Sequence, residues 1–416
     1  MKILLVVKSK KMECLGPMYL SAVVKQIGHE CSIVDIVEAE TSALKLRPDI
    51  IGYSVFTGDQ NRFKQLNHRL KEKLKFISIF GGGHSTFFPQ DFNDNPDIDH
   101  VVRGEGENWM ADFLASKRQK ADAYPDINSI PWPAREDFRG MKIRDFISSR
   151  GCPYNCSYCF NDTWAKMFPE VKRVRIRSVE NVIEEINSVD PKFVYFQDSC
   201  FGVDMMWLRK FSRLYEKEIN IPFHCHLRPD QVNEERTILL HVAGCYSVRI
   251  ALETASKDLR KLIGRERTSN EETIKASWLL KKWNIKLMIQ NMLALPSSTI
   301  EDDLATLDVN IQCHPDYGWS SIFVPYPGTA LGDKCVKEGW YRGDYSEISD
   351  TFFDASVLEF SEERKEQSYC LQKIFALCTE VGYLPKVNEL TYENFPKLVH
   401  KIMRKQGDNR LYAGVL

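Results

Sequence analysis

Three cysteines, Cys152, Cys156 and Cys159, stand together in the run Ser148-Ser149-Arg150-Gly151-Cys152-Pro153-Tyr154-Asn155-Cys156-Ser157-Tyr158-Cys159-Phe160. Their spacing is C-x-x-x-C-x-x-C, with no fourth cysteine nearby. A structural zinc site normally takes four ligands. A cubane iron–sulfur cluster is held by thiolates, usually four. Three thiolates leave one iron of a cubane without a protein ligand, and an open coordination position is where chemistry takes place. The plain alternatives are a zinc knuckle or three unrelated core cysteines. Gly151, Pro153 and Asn155 break regular structure and let the chain wrap a cluster. Asp145–Ser148 reads as a short strand leading into the loop.

The other chemistry-bearing types are more scattered. His224-Cys225-His226 has the look of a metal triplet. On a strand, however, the two histidines share one face and the cysteine takes the other, so barrel packing is the expectation, with lining of a substrate cavity the alternative. The remaining cysteines, Cys200, Cys245 and Cys313 among them, read as small buried hydrophobes. Three consecutive glycines, Gly81 to Gly83, precede His84 and imply that something approaches the backbone closely there. A plain tight turn is the alternative. No Walker A pattern and no G-x-G-x-x-G fingerprint occurs, which disfavours nucleoside triphosphates and nicotinamide cofactors.

The elements that must position these residues follow from the hydrophobic pattern. The 416 residues suggest two to three domains, and 43% hydrophobic content supplies a core. A net charge of −1 gives no electrostatic case for nucleic acid or an anionic membrane. No apolar run approaches the roughly 20 residues of a membrane helix, and the first residues read as a strand rather than a signal peptide. Twelve scattered cysteines without an export signal are no disulfide framework, so a reduced, cytoplasmic and anaerobic setting is expected.

Residues 1–122 alternate strands (Ile3–Val7, Cys31–Ile36, Ile50–Val55, Phe76–Phe80) with helices (Gly16–Ile27, Asn61–Leu74). This pattern predicts a doubly wound, Rossmann-like α/β domain with ligands at the carboxyl ends of its strands. Residues 123–145 carry Pro125, Pro131 and Pro133 and read as a linker. Residues 146–330 repeat strand and helix six times: Phe146–Ser149, Phe193–Gln197, Phe223–His226, Ser247–Ala251, Lys286–Leu293 and Ser320–Val324 are the strands. That count predicts a partial (βα)6 TIM-type barrel, with active groups at its strand ends. Residues 331–416 form a small, mainly helical cap, with helices over Glu362–Val381 and Lys397–Gln406. There Trp340, Tyr341, Tyr345 and Tyr412 are expected in aromatic packing, with substrate contact the alternative.

The cysteine spacing, with Tyr158 just before the third cysteine, resembles the radical S-adenosylmethionine (SAM) superfamily. Several N-terminal pieces resemble the cobalamin-binding domain that precedes some of its members: Leu15-Gly16-Pro17, Gly28-His29-Glu30, Pro48–Ser54, Gly81–Pro89 and Val102–Glu107. The resemblance covers residues 1 to 331 and implies a cobalamin-dependent radical SAM enzyme, a C-methyltransferase of the class B type. It implies that Cys152, Cys156 and Cys159 ligate a [4Fe–4S] cluster and that SAM chelates the open iron. Phe196-Gln197-Asp198-Ser199-Cys200-Phe201 matches the F-x-D-x-x-F of the cobalamin branch, so Gln197 and Asp198 are expected to receive the SAM amino group. Leu227-Arg228-Pro229-Asp230 resembles L-R-x-D, with Arg228 pairing the SAM carboxylate. Ala251-Leu252-Glu253-Thr254 resembles G-x-E-T, with Glu253 a further contact. Tyr158 and Leu295 complete the expected SAM set. Ile263-Gly264-Arg265 lies where the family carries I-x-R, and Pro325–Leu331 matches P-Y-P-G-T-x-L. At Ala294-Leu295-Pro296-Ser297-Ser298-Thr299 the family usually shows G-L-P-G-E-T, and both glycines are replaced.

For cobalamin, the resemblance points to Leu15, Ser54, Thr57, Gly81, Gly82, Gly83, His84, Gly104 and Glu105. The first loop, Lys8–Cys14, lacks the histidine that ligates cobalt in many relatives. Methylcobalamin is therefore expected base-off and without a histidine ligand, its dimethylbenzimidazole tail beside Gly81–Gly83. The implied chemistry is hydrogen abstraction from an sp3 carbon by a 5′-deoxyadenosyl radical, then methyl transfer from methylcobalamin. A peptide or protein side chain such as glutamine, or a small metabolite, is the expected substrate. A ferredoxin or flavodoxin is the expected electron donor. Cyclisation, rearrangement or dehydration in natural-product assembly is the alternative outcome for the same two cofactors, and a non-catalytic corrinoid or iron–sulfur binding protein is a third.

Overall fold

The computed structural model describes residues 1–116 and 124–406. The 122/123 boundary and Tyr412 lie outside the described residues. The first sheet contains β1 (Lys2–Val7), β2 (Glu30–Asp35), β3 (Ile50–Ser54), β4 (Ile77–Gly81) and the short β5 (His100–Val101), in the order β2-β1-β3-β4-β5. All its pairings are parallel. Ile3, Leu4, Leu5, Val6 and Val7 are all buried, because helices cover both faces and leave no solvent side to alternate toward. Leu15–Gln26 and Glu107–Leu114 pack on one face and Gln60–Lys71 on the other. Gly28 follows the first helix in left-handed conformation, as the C′ position requires.

The second sheet is the partial barrel. Its strands are β6 (Ile143–Phe146), β9 (Phe193–Phe196), β10 (Phe223–His226), β11 (Cys245–Glu253), β12 (Lys286–Leu293) and β13 (Tyr317–Ile322). All six are parallel in the order β13-β12-β11-β10-β9-β6, an open run of neighbours in chain sequence. Between β6 and β9 a small antiparallel pair is inserted, β7 (Ser149–Gly151) with β8 (Val174–Ile176). The expected strand at 146–149 is therefore divided: the barrel strand ends at Phe146 and β7 begins at Ser149. Helices Val179–Val189, Met205–Glu218, Glu234–Val242, Asn270–Lys282 and Ile300–Cys313 wrap the outside. Side chains of Phe196, Phe223, Cys225, Val248 and Ile250 form the core between sheet and helices. The alternate residues, Tyr195, His224, His226, Ser247 and Arg249, consequently face the barrel interior.

The helix Glu362–Val381 closes the far edge by packing on β13 and on Ile300–Cys313. Its buried Arg364 pairs with Asp303 at 2.7 Å and also donates to Ser298 and the Thr299 carbonyl.

Candidate functional site

The loop of Cys152, Cys156 and Cys159 is clamped from several sides. Gly151 has φ +93°, and a Cβ there would meet the Arg173 carbonyl at 2.0 Å, so only glycine fits where β7 meets β8. Arg173 Nε donates to the Cys152 carbonyl at 3.0 Å and its Nη2 reaches Asp162 at 3.0 Å. Ser157 donates to the carbonyls of Ile263 and Leu262, while its own carbonyl accepts from Leu331 N. Two donors point at the sulfurs: Asn161 Nδ2 lies 3.6 Å from Cys159 Sγ and Arg228 Nη1 lies 3.9 Å from Cys156 Sγ. Such N–H···S contacts are a known lever on cluster potential. Burial pushes the Cys159 thiol up to about 11. Among the described residues, no three His, Cys, Asp or Glu side chains converge on single-ion spacing.

Asp198 ends as the anchor of this loop. Its carboxylate accepts from Ser148 N at 2.9 Å, Ser148 Oγ at 2.7 Å and Ser149 Oγ at 2.6 Å, and it is only 1% exposed. With its oxygens engaged and no solvent path, it positions the chain leading to Cys152. Gln197 Nε2 donates to Asp145 at 2.9 Å. Arg228 forms a forked pair with Asp230, at 3.0 and 3.2 Å, and stacks 3.7 Å above the Tyr154 ring.

Beside the loop, the buried Glu253 and Arg265 and the half-buried Tyr158 form a separate group. Tyr158 Oη donates to Glu253 Oε1 at 2.7 Å, and Arg265 Nη1 donates to Tyr158 Oη at 3.2 Å and to Glu253 Oε1 at 3.5 Å. Glu253 holds φ +65°, a left-handed conformation that costs a non-glycine residue about 1–2 kcal/mol. Strain of this kind concentrates at functional sites. Glu253 Oε2 and Arg265 Nε are buried without any partner. One orphan accepts and the other donates, as the ammonium and carboxylate of a zwitterion require. Burial pushes the Glu253 carboxyl up, opposed first by Arg265. Leu295 is buried in the apolar cluster that also contacts Tyr158. Arg265 is the residue whose importance the sequence understated: only its place in an I-x-R-like stretch pointed to it.

In the first domain a cavity of about 310 Å3 opens between the sheet and the helices Leu15–Gln26 and Glu107–Leu114. That is within the range of ligand pockets, about 300–1,000 Å3, and suits a bicyclic aromatic group better than a whole corrin. Leu15, Ser54, Gly81, Gly82, Gly104 and Glu105 line it, six of the nine expected cobalamin positions. The glycines make it a cradle. A Cβ on Gly16 would meet nothing within 4 Å, and one on Gly81 only the Tyr53 carbonyl at 4.0 Å. A Cβ on Gly82, at φ +93°, would meet the Val55 backbone at 2.8 Å, so only glycine fits there.

The other three expected positions lie elsewhere. His84 has one ring nitrogen 2.9 Å from Thr57 Oγ1 and the other 3.1 Å from Asp91, and its side chain is fully buried. Thr57 is thereby consumed as well. Gly83 opens the short helix Gly83–Phe87 and faces the exposed Phe56 ring.

The two sites share a residue. Arg150 lines the cavity, precedes Cys152 by two positions, and pairs with Glu107 at 2.6 Å and Glu105 at 3.0 Å. Close by, Phe87 stacks on Phe160 with ring centroids 4.3 Å apart.

Residues 1–114 match the B12 binding domain family, and residues 146–309 match the Radical SAM superfamily. The chain belongs to the radical SAM enzymes that carry a B12-binding domain. An uncharacterized methyltransferase of Pyrococcus horikoshii is 26% identical, over 77% of this chain and 78% of that one. An anaerobic magnesium-protoporphyrin IX monomethyl ester cyclase of Rubrivivax gelatinosus is 25% identical over 70% of this chain and 59% of its own length. Among solved structures, the radical SAM methyltransferase TsrM from Kitasatospora setae, with cobalamin and a [4Fe-4S] cluster bound, shares the fold. Its TM-score is 0.67 at 16% identity, covering 81% of this chain and 78% of that chain. No helix among the described residues is long and apolar enough to cross a membrane.

Proposed function

We propose that this enzyme is a cobalamin-dependent methyltransferase acting on an sp3 carbon. The observation that carries this reading is Arg150, which joins the cavity of the first domain to the cysteine loop of the barrel. Two cofactors held that way can act on one substrate. When bound, the cluster with SAM supplies a hydrogen-abstracting radical, and methylcobalamin supplies the methyl group.

The chain's own residues hold, orient and exclude. Cys152, Cys156 and Cys159 would ligate three irons, while Asp198, Arg173 and Ser157 keep their loop in place. Tyr158, Glu253 and Arg265 would frame SAM, the free Glu253 oxygen taking the ammonium and Arg265 the carboxylate, with Leu295 on the apolar side. Leu15, Ser54, Gly81, Gly82, Gly104 and Glu105 would hold the corrinoid tail. His84, bonded at both nitrogens, is not free to ligate cobalt, which supports a base-off cofactor without a histidine ligand. A ferredoxin or flavodoxin would supply the electrons. Cyclisation is the second reading, favoured by the similarity to the cyclase of Rubrivivax gelatinosus.

Anaerobic turnover of the reconstituted protein separates the two readings. S-adenosylhomocysteine formed alongside 5′-deoxyadenosine supports methyl transfer. 5′-Deoxyadenosine alone supports cyclisation, and neither product sinks both.

A further inference from the structure

The barrel interior carries a polar layer that the cofactor reading does not use. It is built from three adjacent strands: His226 of β10 is in register with Arg249 of β11, and Tyr195 of β9 is in register with His224 of β10. Arg249 Nη2 donates to His226 Nδ1 at 3.1 Å. A guanidinium can only donate, so Nδ1 accepts and the His226 proton sits on Nε2. That nitrogen is 3.0 Å from Tyr195 Oη and donates to it. The tyrosine hydroxyl proton is then left to point away from the chain of bonds. His226 is held neutral by burial, with Arg249 adding to the effect.

Below this layer, His224 stacks on the Tyr195 ring at 4.6 Å and spends Nδ1 on Ser247 Oγ at 2.7 Å. Its Nε2 is buried with no partner, and the residue is 7% exposed. Arg249 and Tyr195 are half-buried. Among the described residues Arg249 has no carboxylate within ion-pair distance. Glu253 is taken by Arg265, and Asp145 accepts from Gln197. A permanent cation, a free hydroxyl donor and an orphaned imidazole nitrogen thus face one interior, and His226, at the end of β10, is two residues before the Arg228 that reaches Cys156. An unpaired, half-desolvated guanidinium is costly unless a partner arrives, and the partner that fits is an oxyanion.

We propose that Arg249, with the Tyr195 hydroxyl and with His224 in the tautomer whose Nδ1 accepts from Ser247 Oγ and whose Nε2 carries the proton, binds an oxyanion of the substrate, a carboxylate or phosphate group, inside the barrel. The inference rests on the barrel being the reaction chamber of the proposed enzyme. It names the substrate class as anionic and makes Arg249 the specificity-determining residue.

The test is anion binding to the resting, fully reconstituted protein at saturating SAM. Line broadening of inorganic phosphate (31P) and of 13C-labelled acetate is followed by NMR. Saturable binding of either, weakened about tenfold or more in Arg249→Gln and partly restored in Arg249→Lys, supports the proposal. The tighter of the two probes assigns phosphate or carboxylate. Should Arg249→Gln fail to fold, Tyr195→Phe replaces it, with affinity expected to fall about three- to tenfold. Equal binding in wild type and variants overturns the proposal, as does no saturable binding. Binding abolished by SAM also overturns it, because Arg249 would then serve the cofactor. The readout needs no turnover, so missing methyl products beside retained anion binding would fail the reaction reading alone.

Discussion

The first domain and the barrel prepare for their ligands in opposite ways. In the first domain the ligand space is a gap: glycines at 16 and 81 leave it open, apolar residues such as Leu5, Leu20, Ile79 and Met110 line much of it, and the charges on its wall, Glu105, Glu107 and Arg150, pair with one another. Recognition there is by shape and backbone. In the barrel the candidate site is crowded with buried charge: Glu253, Arg265, Arg228 and Asp198 are already paired with neighbours, Arg228 with the exposed Asp230. Only single atoms, such as Glu253 Oε2, are left over. A large cofactor whose tail is aromatic asks for volume, whereas a small zwitterion asks for a fixed field. The difference implies that the two sites can be damaged independently.

The sharpest way to break the comparison is Cys156→Ala. Iron should fall well below about four per chain and SAM cleavage to background, while corrinoid absorbance stays. Loss of corrinoid as well would show that the sites fold as one.

Next is Gly81→Leu, at a cavity-lining position where a Cβ would meet only the Tyr53 carbonyl, at 4.0 Å. Cobalamin affinity should drop by about two orders of magnitude, since an overfilled site costs about 1–3 kcal/mol and the tail loses its space. Iron content should not change. An equilibrium-dialysis affinity matching wild type would place the tail elsewhere.

The third contrast is in pH response. Burial, with Glu13 adding to it, pushes the Asp145 carboxyl from 3.8 up to about 6, against the pull of Gln197 and Arg135. A raised carboxyl contributes stability that is fully present below about 4 and is lost as pH rises through about 6. The total is on the order of 3 kcal/mol. Asp145→Asn should flatten the fall of the thermal midpoint between pH 4 and 7. An unchanged slope would contradict the charge crowding described above.

Glu253→Gln should weaken SAM binding about ten- to a hundredfold, the worth of one charged hydrogen bond at about 1.5–3 kcal/mol. Calorimetric titration with SAM checks this, and an unaltered affinity removes Glu253 from the site.

The smallest effect concerns the loop after β12. Ala294 and Ser297 stand where the resembling family carries glycine, and both keep left-handed backbone, at φ +54° and +63°. The path is retained because Arg364 and Asp303 fasten it, Asp303 accepting from Ala294 N at 3.1 Å. Relief of about 1–2 kcal/mol of strain outweighs the roughly 0.4–1 kcal/mol of extra unfolded-chain entropy. Ala294→Gly and Ser297→Gly should therefore each raise stability by under about 1 kcal/mol, read as an upward shift of the thermal midpoint.

Much of this was legible in the sequence. The helix expected over Glu362–Val381 is found at those residues, because its apolar stripe is a local signal and Ser361 caps its start. The cysteine loop and the order of strand-end motifs were equally local. What local pattern cannot show is which polar atoms remain free after folding. Asp198 looks like a ligand at a strand end, yet Ser148 and Ser149, some fifty positions earlier in the chain, consume its oxygens. His84 follows a glycine loop like a cofactor contact, yet Thr57 and Asp91 close both its nitrogens. Arg150 looks like one more loop cation until Glu105 and Glu107 of the other domain meet it.

The sequence by itself therefore determined the two α/β units, their succession along the chain and the cysteine loop, since periodicity and cysteine spacing are written within a few residues of each other. Only the tertiary structure decided which charged groups are spent and which are available. Each buried donor takes whichever acceptor the fold brings within about 3 Å, and those partners come from segments far apart in the chain.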